Sequence, residues 1–389
     1  MEQGRPPGPP PGAAGVPPSP WKRRRAAWQW PLRGLAGLAL AAASAVSLPA
    51  RAATLAALPV GATVHYAGNP LSGYQPLRVP VAAVGRTLLL CDTPEAVSRP
   101  GLLYRDRVQG PFRVFLYALD AARTPLHFTV VVSNPSATPI SLEVTRAGIG
   151  GPSSQYFGVA TLAQAHYFAS RPLRWITVPA GGSVFLDPTL GLRAAHPGQL
   201  VNAIVDASAV APLWVSAVAE RRLSADLHGM PLLPPGPGPL MRGTFPNADF
   251  DVGASKPAGP AYLLVGQNPR YLHGYSWVDH RVTIDYGNYG VLYNIRIYAT
   301  LPRLAHPGRL SVLFTGRGAG YAGLALLSDG RAGRPVVLAP PAYGGVALSP
   351  GEAVVLAHAA LRPGRTAFVD LEWMPAGAST LPAAFLLSG

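Results

Sequence analysis

The stretch FRVFLYA (Phe112–Ala118), then LHFTVVVS (Leu126–Ser133) and ISLEVTR (Ile140–Arg146), decides the fold class. β-Branched and aromatic residues recur in all three runs, and such side chains suit a pleated, half-buried surface. Asn134-Pro135 closes the second run, because proline has no N–H to give to a ladder. The third alternates apolar and polar residues with period two, so it should turn one face to water. Outward from this trio the rhythm repeats in WITV (Trp175–Val178), SVFL (Ser183–Leu186), LVNAIV (Leu200–Val205) and LWVSAV (Leu213–Val218). It resumes in VTID (Val282–Asp285), VLYNIRIY (Val291–Tyr298), LSVLF (Leu310–Phe314), VVL (Val336–Leu338), AVVLA (Ala353–Ala357), AFVDLEW (Ala367–Trp373) and AAFLL (Ala383–Leu387).

Short strands between Pro/Gly turns predict an all-β protein. The exception is YFGVATLAQAHYFAS (Tyr156–Ser170), whose Ala, Leu and Gln content predicts one helix covering an end of the first domain. A chain of 389 residues is long for one core. The expectation is two tandem β-sandwich domains, immunoglobulin-like or jelly-roll-like, at 54–220 and 251–389. The Pro/Gly-rich segment 221–250 would join them as an extended, semi-rigid linker. ITVPAGGSVFL (Ile176–Leu186) echoes VALSPGEAVVL (Val346–Leu356), each read as strand, turn and strand, with Gly181-Gly182-Ser183 in a hairpin.

Residues 1–53 read as a Pro-rich tail plus an export signal. Trp21 to Arg25 supplies positive charge, Gly34 to Leu48 an uncharged Ala/Leu-rich run, and Ala50-Arg51-Ala52 a small-residue cleavage site. The alternative is an uncleaved anchor from Trp28 to Leu48, the only reading that ties the chain to a membrane. Either way the remainder lies outside the cytoplasm, secreted or associated with the cell envelope.

Net charge is +14, but seven of the 32 basic residues fall within 1–53, and the rest are scattered. A nucleic-acid binder concentrates its charge in a patch, so nucleic acid is not expected as a partner. The single cysteine, Cys91, excludes an internal disulfide and a Cys-based zinc site. It sits in the run Leu88–Cys91, which reads as a buried strand.

Several fragments carry a family resemblance: Thr93-Pro94-Glu95, GLLYRD (Gly101–Asp106), VSNP (Val132–Pro135), GNYGVLY (Gly287–Tyr293) and PAGASTLP (Pro375–Pro382). In these the chain resembles a group of uncharacterised exported proteins of spore-forming and related bacteria, from about residue 85 onward. The resemblance implies export and strand-rich domains, and carries no activity or functional residue.

Seven of the fifteen tyrosines, Tyr262, Tyr271, Tyr275, Tyr286, Tyr289, Tyr293 and Tyr298, fall within 37 residues, with Trp277 among them. Tyr and Trp combine an apolar ring with a polar tip, which suits sugar rings or a protein partner. Tyr293 reads as core. Tyr275, Trp277, Tyr286, Asn288 and Tyr289 flank Gly274 and Gly287-Asn288, are expected on loops, and form the candidate ligand site.

Asp370 and Glu372 stand two apart on one strand, with Cβ atoms about 7 Å apart; Asp279 and Asp285 lie in the aromatic region. A glycosidase needs two carboxylates about 5–9.5 Å apart across a cleft, so these pairs carry the alternative of a secreted carbohydrate hydrolase. His273, His280 and Asp279 are the least implausible metal set, though no histidine pair has ligand spacing. No G-x-S-x-G elbow occurs, and GRGAGYAG (Gly316–Gly323) lacks the Lys and helix of a phosphate loop; it reads as a mobile turn. The sequence thus predicts a non-catalytic binding or surface-structural protein without metal or cofactor, whose partner is envelope polysaccharide or another surface protein.

Overall fold

The computed structural model describes residues 52–170, 174–267, 269–318, 320–328, 334–337 and 348–389. The signal or anchor expected within 1–53 lies outside these up to residue 51, as do Leu338 and residues 346–347. Among the described residues the chain is predominantly β, with 23 strands and two helices, α1 (Ala52–Ala57) and α2 (Tyr156–Ala169). No helix among them is long and apolar enough to cross a membrane.

Strands are numbered in chain order. The largest sheet contains β4 (Thr87–Cys91), β5 (Ala96–Val97), β6 (Gly101–Asp120), β7 (His127–Ser133), β8 (Ile140–Ser153), β9 (Arg174–Val178), β10 (Ser183–Phe185), β11 (Leu200–Glu220), β12 (Arg242–Phe245), β15 (Leu272–Ser276) and β16 (Arg281–Asp285). Its spine is the antiparallel pair β6–β11, whose members run 20 and 21 residues. The first half of β11 also pairs with β8 and its second half with β7, so the sheet branches. One face encloses a core that includes Leu103, Phe112, Val114, Val130, Leu142 and Val205.

Two six-stranded sheets complete the fold. One is ordered β1 (Thr63–His65), β21 (Glu352–Leu361), β18 (Gly308–Gly316), β23 (Ala383–Ser388), β14 (Ala261–Val265) and β2 (Gln75–Pro76). The other is ordered β20 (Arg334–Val337), β19 (Leu324–Ser328), β22 (Thr366–Trp373), β17 (Leu292–Thr300), β13 (Asp249–Ser255) and β3 (Val81–Val84). Residues from both join one further core, which also takes Leu88, Phe115 and Tyr117 from the large sheet and Val159, Ala163 and Tyr167 from α2. Trp373 is fully buried there, with ring centroids of Tyr293, Phe314 and Phe385 at 5.1, 5.9 and 5.9 Å. Its indole N–H donates to the Tyr321 hydroxyl at 2.9 Å. Each such ring pair adds about 0.5–1.5 kcal/mol beyond area burial.

Several expectations change in detail. The sequence runs at 200–205 and 213–218 are one strand, β11, interrupted by a register shift between Ala209 and Leu213. Gly110, with φ of 75°, lies opposite Ala209 in the last pair before that shift. The strands flanking Gly181-Gly182 do not form a hairpin: β9 pairs with β8, and β10 with β7. Within Gly316–Gly323, Tyr321 is packed rather than free, being fully buried and paired with Leu348.

Strands from both sides of 221–250 share sheets, and the segment expected as a linker itself holds β12 and the start of β13. β1, β2 and β3 pair with β21, β14 and β13, while β12, β15 and β16 extend the large sheet. Within 221–250, Leu233 donates its N–H to the Leu102 carbonyl and Leu102 donates to the Pro231 carbonyl, both at 2.8 Å.

A buried charge network joins these layers. Arg113 on β6 is fully buried and binds Asp206 of β11 through two bonds of 2.7 and 3.0 Å. Its other N–H groups reach Asp249 of β13 at 2.9 Å, the Gly290 carbonyl at 3.0 Å and the Tyr167 hydroxyl of α2 at 2.9 Å. Arg86 pairs with the same two carboxylates at 3.1 and 2.9 Å, so two positive and two negative charges balance. A guanidinium has five N–H donors, and this one spends all five. That satisfaction makes burial tolerable, because an unpaired buried ion costs several kcal/mol.

Candidate functional site

The middle of the tyrosine-rich region folds as the β15–β16 hairpin, whose outer strand β16 ends the large sheet, while Tyr262 lies on β14 and Tyr293 and Tyr298 on β17. Alternation along a strand sends every second side chain to one face. Leu272, Ser276, Thr283 and Asp285 turn inward and are buried. His273, Tyr275, Val282 and Ile284 take the other face, since Tyr275 lies opposite Val282 and His273 opposite Ile284. Tyr271, Trp277 and Tyr286 continue these two rows past the strand ends. Trp277 is 57% exposed, Val282 66% and Tyr286 36%. The rings form two edge-on pairs, Tyr271–Tyr286 at 5.6 Å and Tyr275–Trp277 at 4.7 Å. The hairpin lies tight against β12, where a Cβ at Gly274 would strike the Phe245 ring.

The five residues expected to bind ligand therefore divide. Tyr275, Trp277 and Tyr286 lie on the outer face, although Tyr275 stands within β15 rather than on a loop. Tyr289 is a core residue: its hydroxyl donates to the Ser379 carbonyl at 2.7 Å, and its ring lies 6.5 Å from that of Phe115. Asn288 is fully buried in the left-handed region, with φ of 58°. Its amide donates to the Arg270 carbonyl at 2.8 Å and the Tyr293 hydroxyl at 2.7 Å, and its side-chain oxygen accepts from the Leu272 N–H at 2.9 Å. These bonds fix the backbone beside Tyr271 and Tyr286 from inside.

Asp279 anchors the other end of the hairpin. It lies in the turn 277–280, which contains Trp277 and closes with His280 at φ of 54°. Arg242 of β12, fully buried, grips Asp279 through bonds of 2.7 and 2.6 Å, and Ser276 donates to it at 2.6 Å. Arg242 also donates to the Leu103 and Leu233 carbonyls at 2.8 Å each. Burial raises the Asp279 pKa, but the Arg242 and Ser276 bonds outweigh it and hold the carboxyl below its usual range. Asp285 shows the opposite balance. It is fully buried and accepts the Tyr289 N–H at 2.9 Å, and its second oxygen has no hydrogen-bond partner. Burial pushes this carboxyl well above its usual range despite the backbone bonds from Tyr289 and Asn288.

The two carboxylate pairs thus lie apart, each member bonded within the fold. Asp279 and Asp285 are committed to opposite ends of the hairpin interior. Asp370 and Glu372 lie elsewhere, on the outward face of β22, paired with Arg296 at 2.7 Å and Arg146 at 2.8 Å. Asp279 is spent on Arg242, while His273 and His280 are exposed. Among the described residues no group of three or more His, Cys, Asp or Glu side chains is placed to hold a metal ion.

What fold and site define together is a β-rich protein that presents an aromatic sheet face from an internally braced hairpin. Neither the protein-family models nor the curated proteins give a match to this chain.

Proposed function

We propose that the chain is an exported, non-catalytic binding protein that docks on envelope polysaccharide through the outer face of the β15–β16 hairpin. One observation carries this reading: the exposed Trp277 and Tyr286 and the half-buried Tyr271 and Tyr275 share one outer face while Asn288 and Asp279 brace it from within. Rings held in place before binding lose little rotamer freedom on contact, so more of the stacking energy becomes affinity. Base-on-ring stacking is worth about 1–3 kcal/mol per ring, and a sugar's C–H face meets such a ring through the same apolar and dispersion forces.

Export rests on the basic and Ala/Leu-rich segment within 1–53, and agrees with the resemblance to exported proteins. A layered, sandwich-like organisation is supported by the two large cores, one within the branched sheet and one against the two six-stranded sheets, the second drawing residues from both halves of the chain. The hydrolase alternative has less support, since each of its four carboxylates is buried or committed to an arginine.

The test is co-sedimentation of the purified chain with insoluble peptidoglycan sacculi and with cellulose. Wild type should be retained on at least one matrix, and Trp277→Ala combined with Tyr275→Ala should return to the supernatant. Equal retention of both proteins would end the proposal. A wild type that ignores both matrices but pulls down a surface protein would transfer the face to a protein partner.

A further inference from the structure

A second surface, built on different chemistry, lies on the outward face of the sheet containing β17 and β22. Register sets its residues in rows. Asp251 of β13, Asn294 of β17 and Glu372 of β22 stand side by side, followed by Gly253, Arg296 and Asp370, then Ser255, Tyr298 and Phe368. Strands lie about 4.8 Å apart and successive rows about 7 Å. The middle row has no side chain at Gly253, where a Cβ would meet only open space. The outcome is a groove of about 440 Å³ lined by Asp251, Gly253, Asn294, Arg296, Asp370 and Glu372.

The polar groups around this groove are already aligned. Arg296 grips Asp370 through bonds of 2.7 and 3.0 Å, Arg146 of β8 donates to Glu372 at 2.8 Å, and Asn294 donates to Asp251 at 2.8 Å. A carboxylate offers about four acceptor sites and a guanidinium five donors, so these pairs leave hydrogen-bonding capacity unspent. Phe368, 55% exposed, borders the set, with the Arg296 guanidinium 5.8 Å from its centroid and the Tyr298 ring at 6.4 Å.

We propose that this groove is a separate binding site for a single chain of neutral polysaccharide. Planar amide, carboxylate and guanidinium ends suit the adjacent hydroxyls of a sugar, which both donate and accept. The exposed ring suits the sugar's apolar face. Three carboxylates against two guanidiniums leave a net negative charge, which disfavours acidic glycans and nucleic acid. The site shares no residue with the hairpin face and stands without it. The hairpin offers an apolar plane for a packed polysaccharide surface, whereas the groove offers hydrogen bonds to one strand.

The test is a glycan array carrying neutral and acidic oligosaccharides, probed with the full chain and followed by calorimetric titration of the neutral oligosaccharide retained best. Gly253→Phe, which fills the groove, should weaken that ligand at least tenfold, a loss of about 1.4 kcal/mol. Arg296→Gln should weaken it in the same direction, and Trp277→Ala should leave it unchanged. Thermal unfolding establishes that each variant is folded; if Gly253→Phe is not, Arg296→Gln at its exposed position decides. The groove is overturned if no neutral oligosaccharide is retained, if acidic ones are preferred, or if the folded variants bind like wild type. Loss in Trp277→Ala with retention in Gly253→Phe would move the ligand to the hairpin and also overturn it.

Discussion

Arg113 and Arg296 make the same bidentate bond to an aspartate, at 2.7 and 3.0 Å in both cases. Arg113 lies fully buried between β6, β11, β13 and α2, while Arg296 stands on an open sheet face with its side chain 65% exposed. The first arginine has lost its water and needs each of its protein partners. The second keeps its water, and its bond fixes position more than it adds stability. Identical geometry therefore serves as a structural joint in one place and as a prealigned, solvent-facing pair in the proposed groove in the other. Solvent access makes the difference.

The largest expected effect breaks the joint. Arg113→Met should leave Asp206 and Asp249 sharing the single positive charge of Arg86 and cost about 3–5 kcal/mol, read as a fall in the midpoint of urea unfolding. An unchanged midpoint would remove the contrast. Next is Asp279→Ala, which strands the buried Arg242 and should cost about 1.5–3 kcal/mol, with weaker retention on polysaccharide as the Trp277 turn loosens. The Asp279 carboxyl has a depressed pKa in the folded state, so its stabilisation is present above the unfolded value of about 3.9. It is lost as pH falls through the folded value, and unfolding midpoints measured down to acid pH should show wild type losing this advantage over Asp279→Ala.

Asp285→Asn should act in the opposite direction. A carboxyl raised well above its usual range costs nothing while protonated in both states, below the unfolded pKa. It erodes stability as pH rises toward the folded value. Asparagine removes that cost, so the variant should unfold later than wild type at pH 7 and equally at pH 3. Trp277→Ala should change stability by less than about 0.5 kcal/mol while abolishing retention on the insoluble matrix. Arg296→Gln should leave the unfolding midpoint where it is.

Much of the strand content was legible from side-chain type alone. The runs at 140–146, 175–178, 282–285, 367–373 and 383–387 all fall within strands, and the helix begins at Tyr156 as read. The length of β6 and β11 was not legible, because Gly110-Pro111 and Pro212 signal chain breaks locally. Only their cross-strand placement shows that both strands continue past them. The exposed aromatic rows followed from residue type, and period two would have added Tyr271 to them. Asn288 and Tyr289 were misassigned because a polar or amphipathic residue beside glycine looks solvent-facing until its buried partners are known. The anchoring of Asp279 is hidden for a related reason, since Arg242 lies 37 residues away in sequence.

The pairing of β1 with β21 has a consequence for the order in which the chain matures. Thr63 lies opposite Val354, and β3 waits for β13 as β2 waits for β14. Synthesis delivers the early partner of each pair long before the late one, and contacts so distant in sequence form slowly. Until β13, β14 and β21 have been made, β3, β2 and β1 lack the strands they pair with in the folded chain.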